Sequence, residues 1–171
     1  PGHFAPLRAH AEVVAPAAEG AGAEAAGALW NNLGYHLQDI ADLARARAAF
    51  RRALAILEKQ LGPEHPQVAI GVNNLGSVLR DLGDLAGARA AHEQALAIDE
   101  QVYGPEHPDV ARDVNNLGGV LRDLGDPAGA RAALERALAI FEQYLPAGHP
   151  NIETVRRNLA DVKSAMESDG P

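Results

Sequence analysis

The sequence predicts an all-α fold built as a solenoid of antiparallel helix pairs, on three observations. Of the 171 residues, 35 are alanine and 20 are leucine, and only 4% are aromatic, a composition that favours helices packed through small side chains. A four-residue motif returns at a fixed interval. Within each interval, apolar residues follow the helical period in two stretches separated by a short turn, which is Gly-Asp in the second and third units and indicates two helices per interval.

The interval is 42 residues long. Asn-Asn-Leu-Gly occurs at 31–34, 73–76 and 115–118, and a weaker copy, Arg-Asn-Leu-Ala, occurs at 157–160. Residues 62–103 and 104–145 are identical at 32 of 42 positions. A repeat of this length and identity predicts stacked units, each of which buries its apolar face against its neighbours.

The repeat divides the chain into five predicted segments. They are 1–21, an N-terminal helix or junction segment; 22–61, 62–103 and 104–145, the three repeat units; and 146–171, a C-terminal capping helix and tail. In the first segment, apolar residues between Leu7 and Val14 fit one helix, which Pro16 must end or kink. The last helix, at 150–166, carries charged residues where earlier units are more apolar or neutral, as a capping element does.

The second unit illustrates the prediction for each element. Pro66 fits the first turn of helix A, predicted over 66–82. Its core residues are predicted to be Val68, Val72, Leu75, Leu79 and Leu82. Gly83 suits a left-handed C-terminal cap, and Asp84 suits the N-cap of helix B, predicted over 85–102.

Helix B carries a recurring apolar series that we expect to be buried. In unit two it is Leu85, Ala88, Ala91, His92, Ala95, Leu96 and Ile98, and in unit three Ala130, Ala133, Leu134, Ala137, Leu138 and Ile140. A glycine recurs in the middle of helix A in every unit, at a cost of roughly 1 kcal/mol relative to alanine, and Gly119 adds a second one in unit three with no repeated packing reason. We expect close contact with small residues of helix B to offset that cost, in the pairs Gly34–Ala46, Gly76–Ala88 and Gly118–Ala130.

These features resemble the tetratricopeptide repeat (TPR). Its pattern Trp-x2-Leu-Gly-x2-Tyr, then Ala-x3-Phe, is present as Trp30, Leu33, Gly34, Leu37 in the place of Tyr, Ala46 and Phe50. The longer unit, with Asn-Asn-Leu and Gly-Pro-x-His-Pro, resembles the kinesin-light-chain type over about residues 22–166. The resemblance implies a right-handed superhelix of helix pairs with a concave groove lined by the A helices.

A second resemblance concerns the stretch that leads into the repeats. Leu7 and His10 before an alanine-rich stretch, and then Gly34-Tyr35-x-Leu37, are similar to the junction that precedes repeat arrays in bacterial STAND ATPases of the NB-ARC type. This resemblance implies that the chain is the C-terminal sensor array of a larger multidomain switch, whose ATPase lies elsewhere.

Helical angles place a polar face on helix A beside its core face, and stacking aligns these faces into rows. The candidate ligand-binding residues are Asn31, Asn32, Tyr35, Asn73, Asn74, Ser77, Arg80, Arg112, Asn115, Asn116, Gly119, Arg122, Arg157 and Asn158. A carboxamide matches the N–H and C=O groups of an extended peptide, so we expect one Asn of each pair to contact ligand main chain. Arg80 and Arg122 would add a preference for acidic groups. The alternative is that the other Asn, or both, bridge neighbouring units as structural amides.

The histidines and acids have structural interpretations. His65, His107 and His149 each precede a proline before helix A, and we expect them to cap or pack that loop. His92 occupies the place of Phe50 and Leu134, which predicts a packing histidine. The repeated acids are predicted to be helix caps and solvated charges; they are Asp39, Asp81, Asp84, Asp123 and Asp126.

Other classes of chemistry find no support in the sequence. The absence of cysteine excludes disulfides and thiolate sites, and a net charge of -8 disfavours nucleic-acid binding. There is no phosphate-binding loop and no apolar run near the ~20 residues that a membrane span needs. We therefore predict a cytoplasmic chain that is not an enzyme, with no cofactor, no metal, no nucleic acid and no membrane partner.

The function that remains is recognition. We predict a non-catalytic scaffold that binds a protein or an extended peptide, of acidic character, as the sensor part of a larger signalling protein. Two alternatives stay open, a self-assembly module that oligomerises and a consensus or designed repeat array.

Overall fold

The computed structural model describes residues 23–168, and every regular element in that range is an α-helix. The helices are α1 (Ala23–Asp39), α2 (Leu43–Leu61), α3 (Pro66–Asp81), α4 (Leu85–Tyr103), α5 (Pro108–Asp123), α6 (Pro127–Tyr144) and α7 (Pro150–Ser168). The pairs α1–α2, α3–α4 and α5–α6 pack most extensively, each pair packs on the next, and α7 packs on α6. The predicted all-α solenoid is confirmed, whereas the predictions for 1–21 and for the tail at 169–171 lie outside the described residues.

A histidine and a proline begin three of the A helices. The Nδ1 atoms of His65, His107 and His149 accept the backbone N–H groups of Gln67, Asp109 and Asn151 at 3.1, 3.2 and 3.2 Å. The following proline has the φ angle of a first helical turn and lacks the N–H that would have no partner there. The predicted capping role of these histidines is confirmed.

The turn between the two helices of a unit needs a left-handed residue. Gly83 and Gly125 have φ of 81° and 78°, and Ala41 takes the same place in unit one with φ of 59°. Asp84 and Asp126 then cap helix B by accepting the N–H three residues ahead, at 3.0 and 2.8 Å. The predicted caps of units two and three are confirmed.

The core matches most of the predicted apolar series. In α3, Val68, Val72 and Leu79 are buried, and in helices B the buried residues include Ala88, Ala91, His92, Ala95, Ile98, Ala130, Leu134, Ala137 and Ile140. Leu75 is half-buried, as are Leu85, Leu96, Ala133 and Leu138. The prediction was wrong for Leu82, which is 39% exposed, because α3 ends at Asp81 and Leu82 lies at the edge of the pair. Val78, which the prediction omitted, is fully buried.

The mid-helix glycines face large side chains of helix B. A Cβ atom on Gly34, Gly76 or Gly118 would lie 2.6 Å from Phe50 Cε1, 2.9 Å from His92 Cε1 and 3.0 Å from Leu134 Cγ, respectively. These separations are too short for carbon atoms in contact. The expected contacts with Ala46 and Ala88 are therefore corrected to contacts with the residue one turn further along helix B. The expected approach of Gly118 to Ala130 is present, because the backbone oxygen of Ala130 would lie 3.4 Å from the same Cβ.

Candidate binding groove

The A helices of successive units lie side by side and form the face on which the sequence placed a groove. A shallow cavity of about 260 Å³ is lined by Gly27, Ala28, Asn31, Leu57, Gln67, Ile70 and Gly71. A second, of about 120 Å³, is lined by Tyr35, Ile70, Asn73, Asn74, Ser77, Arg112 and Asn116. Both cavities share Ile70, so that they adjoin along one face.

The predicted site residues differ in exposure. Asn32, Tyr35 and Arg157 are exposed; Asn31, Asn74, Ser77, Arg80, Arg112, Asn115, Asn116, Arg122 and Asn158 are half-buried; and Asn73 and Gly119 are buried. The structure brings seven of the predicted residues to the two cavities. The other predicted residues lie outside the two cavities: Asn32, Arg80, Asn115, Gly119 and Arg122 on the same helices, and Arg157 and Asn158 on α7.

The paired asparagines form a ladder from one unit to the next. The side chains of Asn74, Asn116 and Asn158 each donate through Nδ2 to Oδ1 of Asn31, Asn73 and Asn115 in the preceding unit, at 2.9, 3.1 and 3.1 Å. The second Asn of one pair therefore bonds to the first Asn of the pair before it. The bridging role that the sequence left as an alternative is present at all three joints.

Asn73 is buried, although its polar side chain predicted an exposed position. The sequence put it on the open polar face, but it is only 5% exposed. It lies where α3, α4 and α5 meet: its Oδ1 accepts from Asn116 and is 2.5 Å from His92 Nδ1, and its Nδ2 donates to Asp113. With three helices closed over its amide, Asn73 is a structural residue of this face.

His92 completes this buried cluster. Because Asn73 Oδ1 can only accept, the proton of the neutral imidazole is on Nδ1. Burial, followed by the positive charge of Arg80, lowers the pKa of His92 from 6.5 to about 4. The predicted packing histidine is thus confirmed, and it is held in its neutral form.

The predicted groove arginines already contact acids. Arg80 Nε donates to Asp123 Oδ2 at 2.6 Å, and Arg122 reaches Asp123 Oδ1 at 3.1 Å. Partial burial opposes ionisation of Asp123, but these two guanidinium groups outweigh it and lower the pKa of that carboxyl. Asp123 therefore binds neighbouring helices together, and the three groups carry one surplus positive charge.

Gly119 has a packing role inside the protein. A Cβ atom there would lie 2.9 Å from Arg80 Nη1, so the second glycine of α5 gives room to the side chain that reaches Asp123. The sequence offered no packing reason for this glycine, because the contact joins two different units.

Arg112 belongs to an ionic network that sequence reasoning found only in part. Its guanidinium lies 2.8 Å from Asp109 Oδ1, 3.5 Å from Asp99 Oδ2 and 3.6 Å from Asp113 Oδ1. Asp99, buried in α4, was not among the predicted site residues. The repeat could have indicated this residue, because Asp99 is an acid at a position where the other units have the apolar residues Leu57 and Phe141.

Residues 23–168 offer neither a metal site of protein ligands nor a membrane-spanning helix. No cluster of three or more potential metal-ligating side chains occurs there. None of the described helices is long and apolar enough to cross a membrane.

Comparison with known families identifies the repeat. The sequence profile described as tetratricopeptide repeat matches residues 25–76, 69–143 and 113–169. The chain belongs to the tetratricopeptide repeat family. Tetratricopeptide repeat proteins are in general non-catalytic scaffolds that bind proteins or peptides. A search of curated protein sequences gave no match for this TPR chain.

Solved structures agree with this assignment. BtubC (BKLC) from P. vanneervenii is 25% identical with a TM-score of 0.76 over 85% of this chain, which spans 58% of the BtubC chain. A single-residue variant of a Podosopora anserina protein, described as a kinesin light chain with nearly identical TPR-like repeats, is 22% identical with a TM-score of 0.79, over 98% of this chain and 81% of its own. Apo RapI is 19% identical with a TM-score of 0.72, over 83% and 50%. The predicted TPR solenoid with kinesin-light-chain-like neighbours is confirmed.

Proposed function

We propose that this TPR chain is a non-catalytic binding module whose groove holds a protein segment or an extended peptide. The observation that carries the proposal is the pair of adjoining cavities that share Ile70 on the face of the A helices. Ile70 is 42% exposed, so it offers an apolar contact between rows of amides. Each ladder bond uses one of the two N–H groups of a donating carboxamide, which leaves a second N–H available for ligand main chain.

The groove changes character along its length, and this gives the proposed peptide a direction. At one register position the units carry Ala28, Ile70 and then Arg112. Towards the C-terminal ends of α3 and α5, Arg80, Arg122 and Asp123 carry one surplus positive charge. A peptide that fits the groove would place an apolar side chain over Ile70 and an acidic group towards unit three. The reason is that the groove favours apolar packing at unit two and charge pairing at unit three.

The test uses selection from a displayed library of random peptides with the purified chain as bait. The groove variant is Ile70→Arg, which gives unit two the residue that unit three has at that position. The matched control is Gln94→Arg on the exposed face of α4, where Arg52 and Arg136 stand in the other units. Both variants add one positive charge, and each introduces a residue that another unit already has at the same position.

We expect selected peptides to lose about tenfold or more in affinity with I70R, the loss that follows from about 1.4 kcal/mol at a central contact. Q94R should leave their affinity unchanged. Failure to select any peptide, or equal losses for the two variants, would contradict the proposal.

We further propose that the binding module is the sensing part of a larger STAND-type switch, in which ligand binding shifts a population of states. The support is the resemblance of the stretch before unit one to the junctions of such proteins. The genomic reading frame around this segment tests the idea, since it should encode an ATPase domain with a phosphate-binding loop. A frame without one would refute it.

Self-assembly is a second candidate, favoured by a row of exposed apolar side chains. Ile40, Leu82 and Leu124 stand one unit apart at the turns between helices A and B, and all three are exposed. A row of this kind is a potential association surface. Sedimentation at increasing protein concentration should then show a rising mass, and a constant monomer mass would exclude this candidate.

A further inference from the structure

The joint between units two and three contains two buried carboxyl groups beside a single arginine. The side chains of Asp99 in α4 and Asp113 in α5 are 2% and 1% exposed, and both lie beside the same Arg112 guanidinium, at 3.5 and 3.6 Å. Asp99 Oδ1 and Asp113 Oδ2 are buried and have no hydrogen-bond partner among the described residues. Two ionised carboxylates beside one guanidinium would leave a negative charge buried without a partner, and a proton on one of them removes that charge and supplies a hydrogen-bond donor.

The surrounding charges favour that proton. Arg112 is the cation of the network, and it is shared among Asp99, Asp113 and the half-buried Asp109. From the loop before α5, His107 is the other titratable group that acts on Asp99, and α3 contributes the neutral amide of Asn73. Burial raises the pKa of both carboxyls, that of Asp113 to about 8.

The neighbouring joints show that packing does not need carboxyl groups here. Leu57 and Gly71 stand at the equivalent positions between units one and two, and a Cβ on Gly71 would meet Leu57 Cδ1 at an ordinary 3.6 Å. Phe141 and Val155 stand there between unit three and α7, within one apolar cluster. Since a buried charged network is weak evidence for stability, the middle joint differs from its neighbours mainly in its ability to titrate.

We propose that one proton shared by Asp99 and Asp113 holds the joint between units two and three closed, and that its loss at alkaline pH loosens the joint and releases Arg112 and Asn73 from their places in the groove. Both residues line the same cavity of the groove. The inference concerns the fold itself and stands whether or not the groove binds a peptide.

Stability falls as the pH rises because the pKa of Asp113 differs between the unfolded and the folded chain. Asp113 loses its proton near its ordinary pKa of 3.8 when unfolded but only near 8 when folded, so stability is lost as pH rises towards about 8. Between about pH 4 and 6.5, His92 makes the folded chain more stable as the pH rises. Its contribution cancels that of Asp113 over this range. The net loss therefore falls between about pH 6.5 and 8, where the unfolding equilibrium constant rises by up to about tenfold per pH unit.

The decisive variant is Asp113→Asn. Its amide can supply an N–H to Asp99 without titrating, and its Oδ1 can still accept from Asn73, so the variant copies the protonated pair. The matched control is Asp109→Asn, which removes one negative charge from the same Arg112 network but leaves the carboxyl pair intact. Urea unfolding of the whole chain, followed by circular dichroism across this pH range, gives the measurement.

We expect the alkaline loss of stability in the wild type and in D109N, and its disappearance in D113N. In NMR spectra, the Asp113 carboxyl carbon and the Arg112 Nε of the wild type should shift together as pH rises through about 8. The proposal is overturned if the wild type shows no loss, or if D113N keeps it. Should D113N not fold, the wild-type NMR titration decides: a carboxyl carbon that titrates near its ordinary pKa refutes the shared proton.

Discussion

Replacing His92 by phenylalanine tests whether this buried imidazole is held in its neutral form. Phe50 occupies the same position in unit one and lies across Gly34 as His92 lies across Gly76, so the ring has room. Asn73 Oδ1 loses His92 as a donor but keeps Asn116 at 3.1 Å. The informative quantity is therefore how the difference in stability between variant and wild type changes with pH.

The expected magnitude follows from the pKa of His92. Burial and Arg80 lower it from 6.5 to about 4, and one pKa unit is worth about 1.36 kcal/mol. A group with a lowered folded pKa contributes stability above its unfolded pKa and loses that contribution as pH falls through its folded pKa. As the pH falls from about 7.5 to 4, the free energy of unfolding of the H92F variant should rise by about 3 kcal/mol relative to that of the wild type.

The assay is urea unfolding of both proteins at matched pH values, with the free energies subtracted so that other titrating groups cancel. The control is His92→Leu, which installs the residue of unit three at Leu134. Since neither phenylalanine nor leucine titrates, both variants should show the same change with pH. A difference in stability that stays constant between neutral and acid pH would refute the neutral, buried histidine.

Further predictions follow from the glycines and the turns. Gly76→Ala should lower the free energy of unfolding by about 1–2 kcal/mol, because its new Cβ would lie 2.9 Å from His92 and overpacking exceeds the gain in helix propensity. Gly71→Ala in the same helix should raise it by about 0.5–1 kcal/mol, since its Cβ would lie 3.4 Å from Leu54 Cδ1; a loss comparable to that of G76A would contradict the distances. Ala41→Gly should raise the melting temperature, because alanine pays about 1 kcal/mol for the left-handed φ of 59°, and an unchanged or lower value in a thermal scan would show that the turn is not strained.

The sequence by itself was sufficient for the helices and their ends. Pro66, Gly83 and Asp84 act on backbone groups within a few residues of themselves, through a fixed φ, a left-handed turn and a side-chain cap. The predicted bounds 66–82 and 85–102 differ from those of α3 and α4 by one residue each. Local signals of this kind do not depend on how the units stack.

The sequence was less informative where one helix meets another. Helical angles measured from a single helix put Asn73 on the open face, but α4 and α5 close over it. The same limitation applied to Gly76, for which the sequence predicted contact with Ala88 rather than His92. A helical wheel gives the direction of a side chain and says nothing about the length of the neighbour it meets.

In the candidate groove, too, some features could be predicted from the sequence and others only from the structure. The repeat alone established that amides recur in rows and that unit three replaces Ile70 and Gly71 by charged residues. Only the stacking of the units decided that each second Asn bonds to the first Asn of the preceding unit, and that Asp99 and Asp113 lie beside the same Arg112 guanidinium. Those contacts depend on the offset between neighbouring helices, which is set by packing across the joint rather than by any residue near in the chain.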